Sequence, residues 1–166
     1  FFIEKFQIND YIVYPSHGVG QIVDHESQSV AGTDISMFVI AFRKDKMTLK
    51  VPFNKVISTG MRKLSSPSTI GKALEVIGGK AKVKRAMWSR RAQDYEQKIN
   101  SGELIQIAEV VRDLHRNDEQ REQSYSERQL YEAALERLTR EIAAVDGVEE
   151  KKAQEKVDKV LEGKAA

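Results

Sequence analysis

Apolar residues in the first sixty positions occur in short runs separated by turn-forming residues. The runs lie at residues 11–14, 21–23, 37–42, 47–51 and 56–59, and a polar connection at residues 43–46 joins the third to the fourth. Short apolar runs bounded by Gly, Pro and polar clusters are typical of strands and hairpins. Five such strands with no helix between them predict a small antiparallel barrel or a strongly bent sheet.

The hydrophobic period changes to that of a helix after Leu64. Residues 65–68 form the breaker cluster Ser-Ser-Pro-Ser, and apolar positions then recur every three or four residues. The predicted helices cover about 70–77, 89–99, 104–114, 124–145 and 148–161. We therefore predict an α+β multidomain protein, with a β domain at residues 1–64, a compact all-α domain at residues 68–166 and a boundary near 63–68.

Two serines compete as the start of the long fourth helix of this second domain. Ser124 precedes Glu127 by three residues, and Ser126 precedes Gln129 by three, so both match the capping box. Asp146-Gly147 is a typical end for the same helix. The third helix, at 104–114, has the densest apolar stripe and is predicted to be the central one.

Charge is sorted along the chain rather than mixed. The net charge of +2 divides into −4 for residues 1–42, +12 for residues 43–93 and −6 for residues 94–166. Residues 76–93 contain no Asp or Glu and include the single tryptophan, Trp88. A cationic segment around one aromatic is typical of nucleic-acid binding, although a solvated basic surface has the same composition.

Trp88 itself has two interpretations. A lone tryptophan in a helical domain is ordinarily part of the core. The neighbouring Arg90 and Arg91 argue for a surface role, because with Ser89 as the helix cap they would occupy the first turn, where the helix dipole disfavours cations. An anion that docks at this helix start would meet both guanidinium groups and the backbone N–H groups.

Catalytic and metal chemistry find little support in the sequence. Gly18-Val19-Gly20 lacks the third glycine of a dinucleotide-binding loop, the three histidines are scattered, and the chain has no cysteine. No run of residues is long and apolar enough for a membrane span. We expect a monomeric cytoplasmic protein that is not an enzyme and needs no cofactor.

The β domain has a weaker signal at one strand end. Lys50-Val51-Pro52 closes the fourth strand with a proline, which is typical of a sheet edge. Such an edge can accept a partner protein, with Met37 beside it, or it can simply be blunted by Lys and Pro.

Four motifs resemble the CarD/CdnL family of bacterial transcription regulators and occur in that family's order: DYIVYPSHGVG at 10–20, WSRR at 88–91, SG at 101–102 and IAEVVRDL at 107–114. The first motif also resembles the polymerase-interacting module of the transcription-repair coupling factor. The helical half with its tryptophan resembles CarD/CdnL instead, and no helicase motif is present.

The resemblance implies a specific function. A Tudor-like barrel would bind the β subunit of bacterial RNA polymerase through the strip formed by Met37, Lys50, Val51 and Pro52, which would associate the protein with the nucleoid. The helical domain would contact promoter DNA at the upstream fork of the melted bubble. Trp88 would wedge into the minor groove and stabilise the open complex, and the surrounding DNA-binding residues would be Lys84, Arg85, Met87, Arg90 and Arg91.

The chain departs from the family pattern at two positions. Gln28 stands where some relatives have an arginine that pairs with polymerase, and Gln93 stands where some have a basic residue that contacts phosphate. Ala165-Ala166 resembles a tail recognised by an ATP-dependent protease, but two alanines are a weak motif and a frayed end is the favoured interpretation. Two alternatives stay open: an adaptor on RNA polymerase whose helical domain recruits another protein, and an RNA-binding protein.

Overall fold

The computed structural model describes residues 6–82, 85–116 and 122–163, which form two compact units, Phe1–Leu64 and Ser65–Ala166. The first unit is built on a sheet and the second on helices. This confirms the predicted α+β class. Within the described residues, no helix has both the length and the apolar character needed to cross a membrane.

Five antiparallel strands form the sheet of the first unit: β1 (Tyr11–Tyr14), β2 (Gly18–Val30), β3 (Thr33–Phe42), β4 (Met47–Pro52) and β5 (Arg62–Lys63). Their order is β4-β3-β2-β1-β5, so β4 and β5 are the two edges. Pairing between these edges is not seen among the described residues, and the sheet is therefore open. The prediction of an antiparallel sheet is confirmed, whereas its closure into a barrel is not.

The predicted strand at residues 56–59 is wrong. These residues form the short helix α1 (Val56–Thr59), which follows a 3₁₀ turn at Phe53–Lys55 and ends at Gly60, whose φ is 77°. Val56 is fully buried in the sheet's core, whereas Ile57 is 68% exposed. A helical turn buries Val56 without the need for a neighbouring strand to pair with it. Core packing therefore overrides the strand propensity of these β-branched residues.

The part of the second unit that the structure describes contains five helices: α2 (Pro67–Gly78), α3 (Trp88–Asn100), α4 (Leu104–Leu114), α5 (Tyr125–Asp146) and α6 (Glu150–Glu162). α4 packs against α2, α3 and α5, and most of its residues are buried, which supports its prediction as the central helix. Its apolar stripe, with Ile107, Val111 and Leu114, lies in one continuous core shared by all five helices.

Side-chain caps define the starts of two helices. Ser66 Oγ accepts a hydrogen bond from the Thr69 N–H at the start of α2, over 3.2 Å. Ser124 Oγ accepts one from the Glu127 N–H at the start of α5, also over 3.2 Å. Ser124 is therefore the serine that caps α5, and Ser126 lies inside the helix. Gly147, with φ 66°, ends α5 as predicted.

Candidate nucleic-acid interface

The candidate interface is the start of α3, which has no side-chain cap. Met87 is the N-cap residue, and the backbone N–H groups of Arg90 and Arg91 both donate to its carbonyl oxygen over 3.1 Å. The prediction that Ser89 caps this helix is therefore wrong, because the N-cap is Met87, two residues before Ser89, and the helix begins at Trp88. The first turn contains no acidic residue, so the positive end of the helix dipole has no compensating carboxylate of its own.

Met87 and Trp88 present apolar surface at this helix start. Met87 is 78% exposed, although apolar side chains of its size usually find a packing partner. Trp88 is half-buried and packs against the core of the helical unit, with its ring centroid 6.2 Å from that of Tyr95. The Trp88 ring therefore packs on the core of the helical unit and is partly exposed to solvent, so Trp88 is neither a fully buried nor a fully exposed residue.

The two arginines of the first turn lie in different surroundings. Arg90 is exposed, as is Arg85 in the segment before the helix. The guanidinium carbon of Arg91 lies 5.4 Å from the ring centroid of Trp88 and 6.0 Å from that of Tyr95. The Nε atom of Arg91 is buried, and it has no hydrogen-bond partner among the residues that the structure describes. Lys84, also predicted to bind DNA, lies outside the described residues, as does Ala165-Ala166.

A buried ion pair in α4 holds the segment that precedes α3. Asp113 Oδ1 accepts hydrogen bonds from the backbone N–H of Lys82 over 2.9 Å and from Arg112 Nε over 2.7 Å. Asp113 is 3% exposed and Arg112 is 8% exposed. The hydrogen bond to Asp113 raises the pKa of Arg112, against the lowering effect of burial. Asp113 therefore anchors the basic segment to the central helix.

Sequence reasoning missed this anchor. Arg112 and Asp113 were assigned only to a family motif, although a charged pair inside the apolar stripe of a central helix indicates a buried ion pair. Arg91, Asp94, Tyr95 and Arg112 also line a cavity of ≈ 220 Å³ beside this pair.

The strip predicted to bind polymerase lies at the edge strand β4 and its neighbour β3. Met37 is opposite Pro52 and Val39 is opposite Lys50 in the register of the two strands. Lys50 Nζ forms an ion pair with Glu26 Oε2 of β2 over 2.9 Å. The four predicted residues are therefore brought together, but the side chains of Met37 and Val51 are buried. Lys50 and the backbone edge of β4 are what this strip presents to a partner.

The histidines are engaged in packing and hydrogen bonds. His17 stacks on Tyr14 with the ring centroids 5.5 Å apart, and His25 meets the Phe38 ring edge-on at 4.8 Å. The Nδ1 atom of His115 is 3.1 Å from the hydroxyl oxygen of Tyr131. In the part of the chain that the structure describes, no three His, Cys, Asp or Glu residues are grouped so that they could hold a metal ion.

Both units resemble known protein families. Residues 72–158 match the family described as "CarD, C-terminal domain", and residues 6–65 match the "CarD-like/TRCF RID domain". The "Putative transcription factor YdeB" of Bacillus subtilis (strain 168) is 30% identical over 146 residues, which cover 88% of this chain and 95% of that protein.

A solved structure of a CarD domain also matches part of the chain. The solution NMR structure of the 72-residue N-terminal domain of Myxococcus xanthus CarD is 29% identical and covers 35% of this chain and 77% of its own. The TM-score of 0.31 is too low to support an argument about the fold.

Proposed function

The chain belongs to the CarD/CdnL family of transcription factors, and from this premise we propose that it stabilises the open promoter complex while it is bound to RNA polymerase. The family assignment indicates a transcription regulator that interacts with RNA polymerase. The further steps concern how that regulator acts, namely a wedge at the upstream edge of the bubble and a tether on the β subunit.

The start of α3 is the observation that carries the proposal. It combines an uncapped helix N-terminus, the exposed Arg90, the exposed Met87 and the supported ring of Trp88 within four residues. Backbone N–H groups and a guanidinium at such a helix end favour a phosphate. The apolar pair beside them favours unstacked bases. Together they fit DNA at the junction of duplex and single strand.

The energetics favour action at an opening duplex rather than at an intact one. Inserting an apolar wedge between base pairs costs a few kcal/mol of stacking in intact duplex. At the upstream edge of a melted bubble, part of that cost has already been met by the opening itself. A wedge at this position therefore opposes reannealing and prolongs the open complex.

The tether explains why one small basic segment suffices. Lys50 and the edge of β4 offer both a charge and unpaired backbone groups for a strand of the polymerase β subunit. Anchoring to polymerase gives the α3 segment a high effective concentration at the promoter. Weak affinity for free DNA is then compatible with a strong effect on the bound complex, and the protein would act in the cytoplasm wherever polymerase opens DNA.

The test is the lifetime of the open complex on purified polymerase. Trp88→Ala is expected to shorten it, whereas Tyr125→Ala, which removes an exposed aromatic at the start of another helix, is expected to leave it unchanged. An unchanged lifetime with Trp88→Ala would refute the wedge.

Crosslinking separates DNA contact from the adaptor alternative. A promoter DNA crosslink to residues 80–93 in the polymerase complex is expected under the proposal. If function requires the basic residues of this segment but crosslinks reach only another protein, the adaptor that recruits a protein partner is the correct function.

A further inference from the structure

Arg90 and Arg91 are consecutive arginines that the structure places in different surroundings. Arg90 is exposed in the first turn of α3. Arg91 is only half-exposed, and its guanidinium group lies over two aromatic rings of the same helix. The family resemblance treats both as phosphate contacts, but only Arg90 has its guanidinium group free to reach a phosphate without leaving a packed position.

The spacing along α3 explains the position of Arg91. Residues 88, 91 and 95 are separated by three and four positions, so their side chains share one face of the helix. Tyr95 is buried in the core, and Trp88 packs against the same core. The guanidinium plane therefore meets both rings at cation–π distances, with the stronger contact to the tryptophan.

We propose that Arg91 is a positioning residue, which holds the Trp88 ring in the orientation needed for the wedge, while Arg90 and Arg85 contact phosphates. The wedge in this statement rests on the function proposed above, whereas the effect of Arg91 on Trp88 does not. A half-buried indole at a helix start can still change its two side-chain torsions unless neighbouring groups hold it. A cation that contacts its face and the buried Tyr95 limits those torsions before DNA arrives.

The buried Nε atom of Arg91 supports this role. An N–H donor without a partner lowers stability, because its desolvation is not compensated. Arg91 thus keeps a buried polar atom without a hydrogen bond, and its guanidinium group contacts the two rings there. Local choices that reduce stability are typical of residues that serve function.

The first experiment uses the free protein and the fluorescence of its single tryptophan. Arg91→Met keeps the aliphatic stem and removes the guanidinium group, Arg91→Lys keeps the charge, and Arg90→Met is the matched control one residue away. Arg91→Met is expected to shift the balance between stacked and unstacked Trp88 about two- to fivefold, because exposed cation–π contacts have that strength.

The expected readout is easier quenching by acrylamide and faster local anisotropy decay for Arg91→Met. We expect Arg91→Lys to show the same direction of change, since an ammonium group has no plane to cover two rings. Arg90→Met is expected to match the wild type. Thermal unfolding of each variant establishes that the helical unit is folded, and Arg91→Met removes a buried unpaired donor, so a large loss of stability is not expected.

The second experiment measures the salt dependence of binding to fork-junction DNA and the open-complex lifetime. Arg90→Met is expected to lower the slope of log K against log salt concentration by about 1, as the loss of one phosphate contact does. Arg91→Met is expected to leave that slope unchanged and yet shorten the open-complex lifetime.

Two results would overturn the proposal. If Arg91→Met leaves the quenching of Trp88 at the wild-type value, Arg91 does not orient the ring. If it lowers the salt slope as Arg90→Met does, Arg91 is a phosphate contact. Failure of the wedge is a separate outcome, seen as an unchanged lifetime with Trp88→Ala, and the fluorescence experiment then still decides whether Arg91 orients Trp88.

Discussion

Gly20 of β2 has no side chain because two neighbours occupy the place where one would lie. A Cβ atom at this position would be 2.7 Å from Phe42 Cε1 and 2.9 Å from Ile40 Cγ2. Both neighbours are buried in the sheet's core and cannot move aside freely. Glycine is therefore required here by space rather than by backbone conformation.

We predict that Gly20→Ala destabilises the sheet unit by about 1–3 kcal/mol, the usual range for overpacking. Gly71→Ala is the matched control, because Gly71 is exposed in α2 and an added Cβ would contact nothing within 4 Å. The control should stabilise its helix by about 0.5–1 kcal/mol. Calorimetric unfolding measures both, and equal effects of the two substitutions would contradict the packing argument.

Tyr131 is a residue whose ionisation opposes folding. Burial, with a smaller contribution from the charge of Asp158, raises its pKa to about 12. An unfolded tyrosine ionises near pH 10, so between pH 10 and 12 the unfolded chain binds fewer protons than the folded one. The free energy of unfolding must therefore fall as the pH rises through this range.

We predict that the ionisation of Tyr131 lowers the free energy of unfolding by roughly 2 kcal/mol, which is less than the full effect of its pKa shift because the phenol is partly solvated. Tyr131→Phe should remove this part of the alkaline loss, although it also loses the hydrogen bond to His115. Tyr125→Phe, at an exposed position, should keep it. Urea unfolding at a series of pH values measures the slope; identical slopes for wild type and Tyr131→Phe would refute the prediction.

At the scale of the element, α3 differs from α2 and α5 in how it begins. The latter two have serine caps, whereas the N-cap of α3 is a methionine with no side-chain hydrogen bond. A helix that begins with a bare backbone is less stable by itself, but its N–H groups and dipole are available to an anion. α4 and α6 also begin without a side-chain cap, so it is the exposed Arg90 in the first turn that favours an anion at α3.

We predict that Met87→Ser stabilises the helical unit by about 1 kcal/mol through a new cap. Met87→Asp should also stabilise it but should weaken binding to fork-junction DNA, most strongly at low salt, because its charge repels phosphate. Ser124→Ala serves as the opposite control and should cost about 1 kcal/mol. Unchanged melting temperatures for both Met87 variants would show that the start of α3 needs no cap.

At the scale of the whole molecule, each unit carries one candidate contact, Lys50 in the first and the start of α3 in the second. If Lys50 belongs to a tether on polymerase and the start of α3 acts on DNA, the defects caused by removing each contact must depend differently on protein concentration. A weakened tether is overcome by mass action, whereas a missing wedge is not.

We predict that Lys50→Glu lowers the affinity for polymerase, since it replaces the cation of this strip with a second acid beside Glu26. A saturating concentration of this variant should restore the open-complex lifetime. Trp88→Ala should remain defective at saturation. Lys55→Glu, an exposed charge reversal outside the β4 edge, should behave as wild type. The measurement is a protein titration of open-complex lifetime, and recovery of Trp88→Ala at saturation would contradict the division of roles.

The sequence alone determined the features that depend on neighbours along the chain. The helical period located α4 at residues 104–114, the residues it occupies in the structure. The capping signals located Gly147 and left two candidates, Ser124 and Ser126, for the start of α5. The acid-free segment identified the region around Trp88, and the family motifs identified the class of protein. Each of these signals is local, because period, caps and composition act within a few residues.

Tertiary structure alone decided the features that depend on partners distant in sequence. Residues 56–59 are helical because Val56 has a core to enter, and the open sheet depends on which strands pair. Asp113 holds Lys82 across 31 residues, and Trp88 rests on a core built by all five helices. Arg90 and Arg91 are indistinguishable by residue type; their surroundings differ only once α3 packs, because one side of the helix then faces a core and the other faces solvent.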